Sequence, residues 1–193
     1  MVLIYLAGAL GGAWLLCFVL AKLLEQKKDP VPFVASSPRI TIGGHRGASG
    51  EVPPNTIEAF QRTVALANNA LLEMDVWQSA DGEIIVSHDE TLSSQTDGQG
   101  LIRQYSLQEL KKLDAGYKFS PDGEKSFPFR GKGGTLPTLP EVLARFQDSR
   151  LSIDIKRNDP DFARSVLRCI EKYGAEERVS VGSFHSGIIS LVR

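Results

Sequence analysis

Apolar and polar residues alternate in two segments with the two-residue period of a β-strand. Leu71–Trp77 reads Leu-Leu-Glu-Met-Asp-Val-Trp, and Leu151–Lys156 reads Leu-Ser-Ile-Asp-Ile-Lys. Successive side chains of a strand point to opposite faces. Glu73 and Asp75 therefore share one face of the first segment, and Asp154 lies on the polar face of the second. The apolar residues between them are expected to face covering helices.

The rest of the pattern predicts a chain in which strands alternate with helices. Further strands are predicted at Arg39–Gly44, Glu83–Ser87 and Arg178–Phe184. Helices are predicted at residues 56–67, 106–113, 138–146 and 159–174, followed by a short C-terminal helix. Ser106 with Glu109, Thr138 with Glu141, and Asp159 before Pro160 are the predicted caps of the second, third and fourth helices. Such alternation indicates a parallel sheet with right-handed crossovers, either an open doubly wound sheet or a barrel.

Three connecting segments carry their own signals. The Gly-rich turn His45–Gly50 suggests close approach of the backbone to a ligand. Asn55, with Glu58 three residues later, resembles a capping box, so we interpret Asn55 as a helix cap. Residues 116–134 form a long insertion without periodicity, which either covers a site or lacks order.

The carboxyl ends of four successive predicted strands carry polar side chains of complementary chemistry. These side chains are His45, Glu73, Asp75, His88, Asp154 and Lys156. Each of these residues could have a structural role by itself. Because side chains alternate between the two faces of a strand, however, all of them are expected to point to one rim of the sheet, formed by the carboxyl ends of its strands. A (β/α)₈ barrel uses this rim for catalysis. We therefore predict an active site there.

The three carboxylates of this rim suggest a metal site. Glu73, Asp75 and Asp154 are hard oxygen ligands suited to Mg²⁺ or Ca²⁺. Two like charges on one strand are costly unless a cation or a proton lies between them. The alternative is an edge strand with a solvated acidic face.

The histidines and the basic residues suggest acid-base chemistry on a phosphate ester. One neutral imidazole, of His45 or His88, can accept a proton while the other, protonated, donates one to a leaving oxygen. Arg46 can bind two phosphate oxygens, and Lys156 can stabilise developing negative charge. Alternatively, Arg46 and Lys156 are salt-bridge partners of the acids.

The N-terminal segment is apolar over the length of a membrane span. Val2–Ala21 contains no Asp, Glu, Lys, Arg or His, and roughly 20 such residues cross the hydrocarbon core as a helix. We expect a single-pass anchor at residues 1–24, a linker at 25–38 and a catalytic domain at 39–193. Lys22, Lys27 and Lys28 follow the apolar segment, which favours a cytoplasmic domain by the positive-inside rule.

Composition narrows the class of partner. The chain has 193 residues, 42% of them hydrophobic and 23% charged, with a formal net charge of -1. This composition is typical of a globular protein. The net charge gives no positive electrostatic potential of the kind that a nucleic-acid-binding protein uses. A small or lipid-derived phosphodiester substrate fits better, and no protein partner is identifiable. Cys17 and Cys169 lack the spacing of a zinc site or a disulfide framework.

Several short motifs, in order along the chain, resemble the glycerophosphodiester phosphodiesterase family. They are His45-Arg46-Gly47, Asn55-Thr56, Glu73-Met74-Asp75, Asp81-Gly82, Val86-Ser87-His88-Asp89, Pro137-Thr138-Leu139, Ile153-Asp154-Ile155-Lys156 and Ser183-Phe184. The resemblance implies a TIM barrel that cleaves glycerophosphodiesters to glycerol 3-phosphate and an alcohol. It also implies a divalent metal held by residues 73, 75 and 154, and histidines 45 and 88 as acid and base. Family members with N-terminal membrane segments include some that act on lysophospholipids.

The chain departs from the family pattern in three ways. Pro54 stands where the family usually has Glu, and Asp154 stands where the third ligand is commonly Glu. The chain has 193 residues, whereas a (β/α)₈ barrel typically needs about 250. We therefore expect an incomplete barrel of about five of eight strands in a truncated product. The alternatives to an enzyme of this family are an inactive homologue that acts as a membrane-tethered binding or assembly partner, and a different metal phosphoesterase.

Overall fold

The structure, a computed structural model, describes residues 41–67 and 69–192. The predicted membrane anchor and linker lie outside these residues and stay predictions. In the part that is described, no helix is both long and apolar enough to cross a membrane.

One sheet organises the described residues. Its strands are β1 (Gly43–Gly44), β2 (Leu71–Gln78), β3 (Ile84–Val86), β4 (Arg150–Ile155) and β5 (Val179–Gly182). The order β1-β2-β4-β5 is parallel throughout, whereas β3 pairs antiparallel with the end of β2. Four parallel strands of barrel type are therefore present among the described residues.

The prediction that all five strands are parallel was wrong for β3. A parallel connection needs a crossover of a dozen or more residues, and only Ser79–Glu83 separate β2 from β3. The two strands therefore form a hairpin, with Val76 opposite Val86. The length of this loop, which can be read from the sequence, is the observation that indicates a hairpin.

Within the described part of the chain, five α-helices cover or flank the sheet. They are α1 (Ile57–Leu66), α2 (Leu107–Leu110), α3 (Leu139–Arg145), α4 (Pro160–Lys172) and α5 (Ser186–Val192). Side chains at predicted caps begin three of them: Ser106 and Thr138 form capping boxes, and Asp159 caps α4 next to a proline. All four longer predicted helices are thus confirmed in place, with shorter bounds.

The cap of α1 differs from the prediction. Thr56, not Asn55, caps this helix, because the Thr56 hydroxyl accepts a hydrogen bond from the Ala59 N–H at 3.2 Å. Asn55 is fully buried and adopts a φ of 55°. Its side chain is directed elsewhere, as described below.

Apolar and acidic side chains of β2 and β4 lie on opposite faces of the sheet, as the alternation in the sequence predicts. On one face of both strands the apolar side chains are fully buried in the core between the sheet and α1, α3 and α4: Leu72, Met74, Val76, Leu151, Ile153 and Ile155. Full burial of such a side chain contributes about 1.5–3 kcal/mol. The acidic residues stand on the opposite face, so the core fixes where they point.

Candidate active site

The sheet register brings the predicted site residues to one edge. Asp75 on β2 lies directly beside Asp154 on β4. Gly44 pairs with Leu72, so His45 follows β1 at the level of Glu73. The Ser87 N–H donates a hydrogen bond to the Asp75 carbonyl at 3.0 Å, which places His88 next to β2. His88 thus reaches this edge through a hairpin and not through a parallel strand.

Lys156 joins the two neighbouring aspartates. Its Nζ lies 2.8 Å from Asp75 Oδ1 and 2.7 Å from Asp154 Oδ2. Burial alone would lower the pKa of Lys156, but the hydrogen bonds and the negative charges of both carboxylates outweigh it and raise that pKa. Lys156 is therefore a protonated counter-ion at the centre of the site.

Arg46 and His45 surround Glu73. The backbone N–H of Arg46 donates to Glu73 Oε2 at 2.7 Å, and the Arg46 Nε lies 3.6 Å from Asp75 Oδ2. Burial raises the pKa of Glu73, and the charge of Asp75 adds to this rise. The Arg46 hydrogen bond and the charges of His45 and Arg46 lower the pKa only in part. The carboxylate of Glu73 is therefore stabilised by a neutralising group, either a proton or a cation.

Asn55 is a residue of this site that the sequence reasoning missed. Its Nδ2 donates to Asp75 Oδ2 at 3.0 Å, and its Oδ1 is buried without a hydrogen-bond partner. The Asn55 N–H donates to the Arg46 carbonyl at 2.9 Å. Asparagine tolerates the positive φ that this turn requires. Asparagine and threonine are both common helix caps, so the sequence did not indicate which of Asn55 and Thr56 caps α1.

Both predicted catalytic histidines can meet a ligand from solvent. His45 is exposed, and the side chain of His88 is 34% exposed. The Nδ1 of His88 lies 3.0 Å from Asp89 Oδ1, and the Trp77 indole donates to the His88 carbonyl at 3.0 Å. These contacts orient His88 at the edge of the site. The assignment of both histidines as acid and base stays a prediction.

The three predicted metal ligands do not form a ready-made metal cluster. Within residues 41–67 and 69–192, no group of three or more His, Cys, Asp or Glu side chains is placed to hold a metal ion. Lys156 lies between Asp75 and Asp154, while Glu73 is bonded to the Arg46 N–H. The donor chemistry nevertheless fits a hard divalent cation, since the unpartnered Asn55 oxygen adds to three carboxylates.

Fold and site together define an α/β protein of the TIM-barrel type with acidic, basic and imidazole groups at the carboxyl edge of its parallel strands. The profile of the Glycerophosphoryl diester phosphodiesterase family matches residues 45–193. The chain belongs to this family.

Two similar proteins align with this chain over part of their own length. The glycerophosphodiester phosphodiesterase of Caldanaerobacter subterraneus is 41% identical over 146 residues, which is 73% of this chain and 56% of that protein. Lysophospholipase D GDPD1 of Homo sapiens is 31% identical over 192 residues, which is 96% of this chain and 57% of that protein. The chain thus spans about half to three fifths of the length of these relatives.

Solved structures confirm the fold. The glycerophosphoryl diester phosphodiesterase domain of a Mycobacterium tuberculosis protein superposes with a TM-score of 0.71 at 27% identity, covering 79% of this chain and 56% of that one. An Oleispira antarctica phosphodiesterase in complex with the product sn-glycerol-3-phosphate gives a TM-score of 0.68 at 26% identity, covering 79% and 61%. The TIM-barrel-like fold is therefore shared with these structures.

Proposed function

We propose that this protein hydrolyses glycerophosphodiesters, including lysophospholipids, to a phosphomonoester such as glycerol 3-phosphate and an alcohol. The observation that carries the proposal is the convergence of Asp75, Asp154 and Lys156 at one sheet edge beside Arg46, in a member of this family. The product named in the Oleispira antarctica complex supports the same chemistry.

The side chains suit the displacement at phosphorus. Arg46 and Lys156 bind and orient the phosphate oxygens and stabilise the charge that develops there. One imidazole, of His45 or His88, accepts a proton from the attacking water. The other gives a proton to the alcohol oxygen as its bond to phosphorus breaks. Water thus supplies the new oxygen on phosphorus.

We further propose that Glu73, Asp75 and Asp154 hold a divalent cation, Mg²⁺ or Ca²⁺, during this reaction. The cation would neutralise phosphate charge and polarise a phosphoryl oxygen. The raised pKa of Glu73 and the unpartnered Asn55 oxygen support this assignment.

We also propose that the N-terminal segment holds the protein at a membrane as a single-pass anchor, with the catalytic domain on the cytoplasmic side. The apolar residues Val2–Ala21 and the lysines that follow them support this placement. The alignment with human lysophospholipase D GDPD1 covers 96% of the chain, so it includes most of this segment. A membrane location would place the site near lipid-derived substrates.

Hydrolysis of glycerophosphocholine by the detergent-solubilised full chain tests the proposal. Release of glycerol 3-phosphate is measured with Mg²⁺, with Ca²⁺ and with chelator. We expect His45→Ala and His88→Ala each to lower turnover by about 10²–10⁴-fold, while Lys125→Gln, in an exposed loop, leaves it unchanged.

Two results would count against the proposal. Equal turnover with chelator, or in His45→Ala, would refute the mechanism. No turnover by well-folded protein with either metal would instead favour a membrane-tethered binding partner.

A further inference from the structure

Three consecutive residues that follow β5 contact the end of β4. We call Ser183, Phe184 and His185 the β5 exit segment. The Ser183 hydroxyl donates to the Ile155 carbonyl at 2.7 Å, and the His185 Nε2 lies 3.2 Å from the Lys156 carbonyl oxygen. The Phe184 ring centroid lies 5.7 Å from the Lys156 Nζ. All three contacts therefore converge on Lys156 or on the residue before it.

These contacts replace sheet hydrogen bonds that β4 lacks at its end. The pairing of β4 with β5 stops at Asp154 and Gly182, so the carbonyls of Ile155 and Lys156 lie beyond that ladder. Ile155 is fully buried, and a buried carbonyl without a donor is costly. Ser183 and His185 supply donors from their side chains. The backbone that carries Lys156 is thereby fixed.

The β5 exit segment is itself held at both ends. The Ser183 hydroxyl accepts from the His185 N–H at 3.2 Å, which closes a tight turn. The His185 carbonyl accepts from the N–H groups of Ile188 and Ile189 in α5, and Ile188 is buried in the core. The segment therefore has a rigid support on which to position another group.

We propose that Ser183 and His185 are positioning residues that fix Lys156 between Asp75 and Asp154, with Phe184 as the aromatic face beside the ammonium. They touch no reacting atom and act through Lys156. A cation near an aromatic face is attracted to the ring, so Phe184 limits the positions open to the Lys156 side chain. The catalytic consequence of this positioning rests on the proposed function, but the positioning itself does not.

Selective acylation of lysines tests the positioning without an activity assay. The intact protein is treated briefly with an amine-acetylating reagent, and acetylation of each lysine is followed by mass spectrometry. We expect Ser183→Ala and His185→Leu to accelerate acetylation of Lys156 by about two- to tenfold, the equivalent of one net hydrogen bond. Ser183→Thr and His185→Gln keep a donor and should restore slow acetylation.

Two other lysines separate positioning from general loosening. Lys125 is exposed and reports reagent activity. Lys111 is 27% exposed and is ion-paired with Glu141, so it would accelerate together with Lys156 if the whole fold loosened. Acceleration at Lys156 alone supports the proposal. Unchanged acetylation of Lys156, or equal acceleration at Lys111, overturns it.

A double-mutant cycle then tests the link to turnover. His185→Leu should lower kcat/KM for glycerophosphocholine by about two- to tenfold, but by less than about twofold when Lys156→Met is already present. Full additivity would overturn the idea that His185 acts through Lys156. If the wild-type chain shows no turnover while acetylation follows the expected pattern, the proposed function fails and the positioning stands.

Discussion

The ammonium of Lys156 occupies the position between Asp75 and Asp154 that a metal ion would share. Both carboxylates are close to it, and Asp75 has a side-chain exposure of only 2%. Like charges in such a place need a neutralising group. If these carboxylates hold a divalent cation as proposed, the cation would compete with the Lys156 ammonium for the same oxygens.

Lys156→Met tests this competition. The variant leaves both carboxylates without their counter-ion, so we expect tighter binding of Mg²⁺ or Ca²⁺, by about fivefold or more, and a lower Tm without metal. Isothermal titration calorimetry measures the affinity and differential scanning fluorimetry the Tm. Lys111→Met, which removes a lysine that is ion-paired with Glu141 and not with a proposed ligand, is the control. Weaker metal binding in Lys156→Met would contradict the competition.

Asn55 shows how one side chain can hold a carboxylate in place. Its Nδ2 is bonded to Asp75, and its backbone adopts a left-handed conformation. Asn55→Gly keeps that conformation and removes the donor, which we expect to cost about 1–3 kcal/mol of unfolding free energy. Asn55→Asp places a second carboxylate oxygen against Asp75 and should cost more.

Urea denaturation at neutral pH ranks these two variants. Both should also lose turnover, because Asp75 loses its fixed orientation. If Asn55→Asp proves as stable as the wild type, the hydrogen bond to Asp75 does not have the role assigned to it.

At the scale of elements, the turn after β1 is shaped by packing against α1. The Gly-rich sequence suggested close approach to a ligand. That expectation stays a prediction, and the structure shows a second constraint: a Cβ on Gly47 would lie 2.6 Å from the Ala59 Cβ and 2.7 Å from the Ala59 backbone carbon. Gly47 also has a φ of 79°. The turn that carries His45 and Arg46 is thus fixed by its contact with the helix.

Gly47→Ala should destabilise the protein and disturb the site. Gly82→Ala is its matched control, because Gly82 has a φ of 88° but no atom within 4 Å of the added Cβ. The control should lose about 1 kcal/mol for backbone strain, and Gly47→Ala should lose more because α1 must also shift. Urea denaturation and turnover are measured for both. Equal losses in the two variants would show that the contact with α1 is unimportant.

The alternation of β2 and β4 predicted which side chains share a face, because this property depends only on strand geometry. The direction of β3 was predicted wrongly, since the local pattern of a strand carries no information on its partner. The length of the loop Ser79–Glu83 does carry this information, because five residues are too few for a parallel crossover. The caps at Ser106, Thr138 and Asp159 were predicted because capping is a local interaction.

At the scale of the whole molecule, the sequence predicted which side chains lie at the carboxyl ends of the parallel strands. It did not predict every hydrogen bond and ion pair between them. Parallel strands bring their carboxyl ends together, so the positions of His45, Asp75 and Asp154 followed from topology. Salt bridges of Arg46 and Lys156 with the acids were the alternative stated from the sequence, and they are present. Which carboxylates Lys156 contacts could not be predicted, because this depends on where a long flexible side chain lies among partners that are distant in sequence. The hydrogen bond between Asn55 and Asp75 depends on the left-handed backbone conformation of Asn55. The sequence did not predict this conformation, because Asn55 was interpreted as the helix cap in place of Thr56. Contacts of this kind need coordinates.

The proposed membrane anchor at the N-terminus can be tested separately from the proposed chemistry. Val2–Ala21 carries no charged side chain, so we expect the full chain to stay with membranes after extraction with alkaline carbonate. Replacing both Leu15 and Leu16 by Arg should release it, because an arginine inside a spanning helix is costly, up to about 2.5–3.5 kcal/mol at the helix centre. Leu24→Arg, next to the flanking charges, should have little effect. Wild-type protein in the carbonate supernatant, or equal retention of the double-arginine variant, would contradict the anchor, since retention would then not depend on an apolar span.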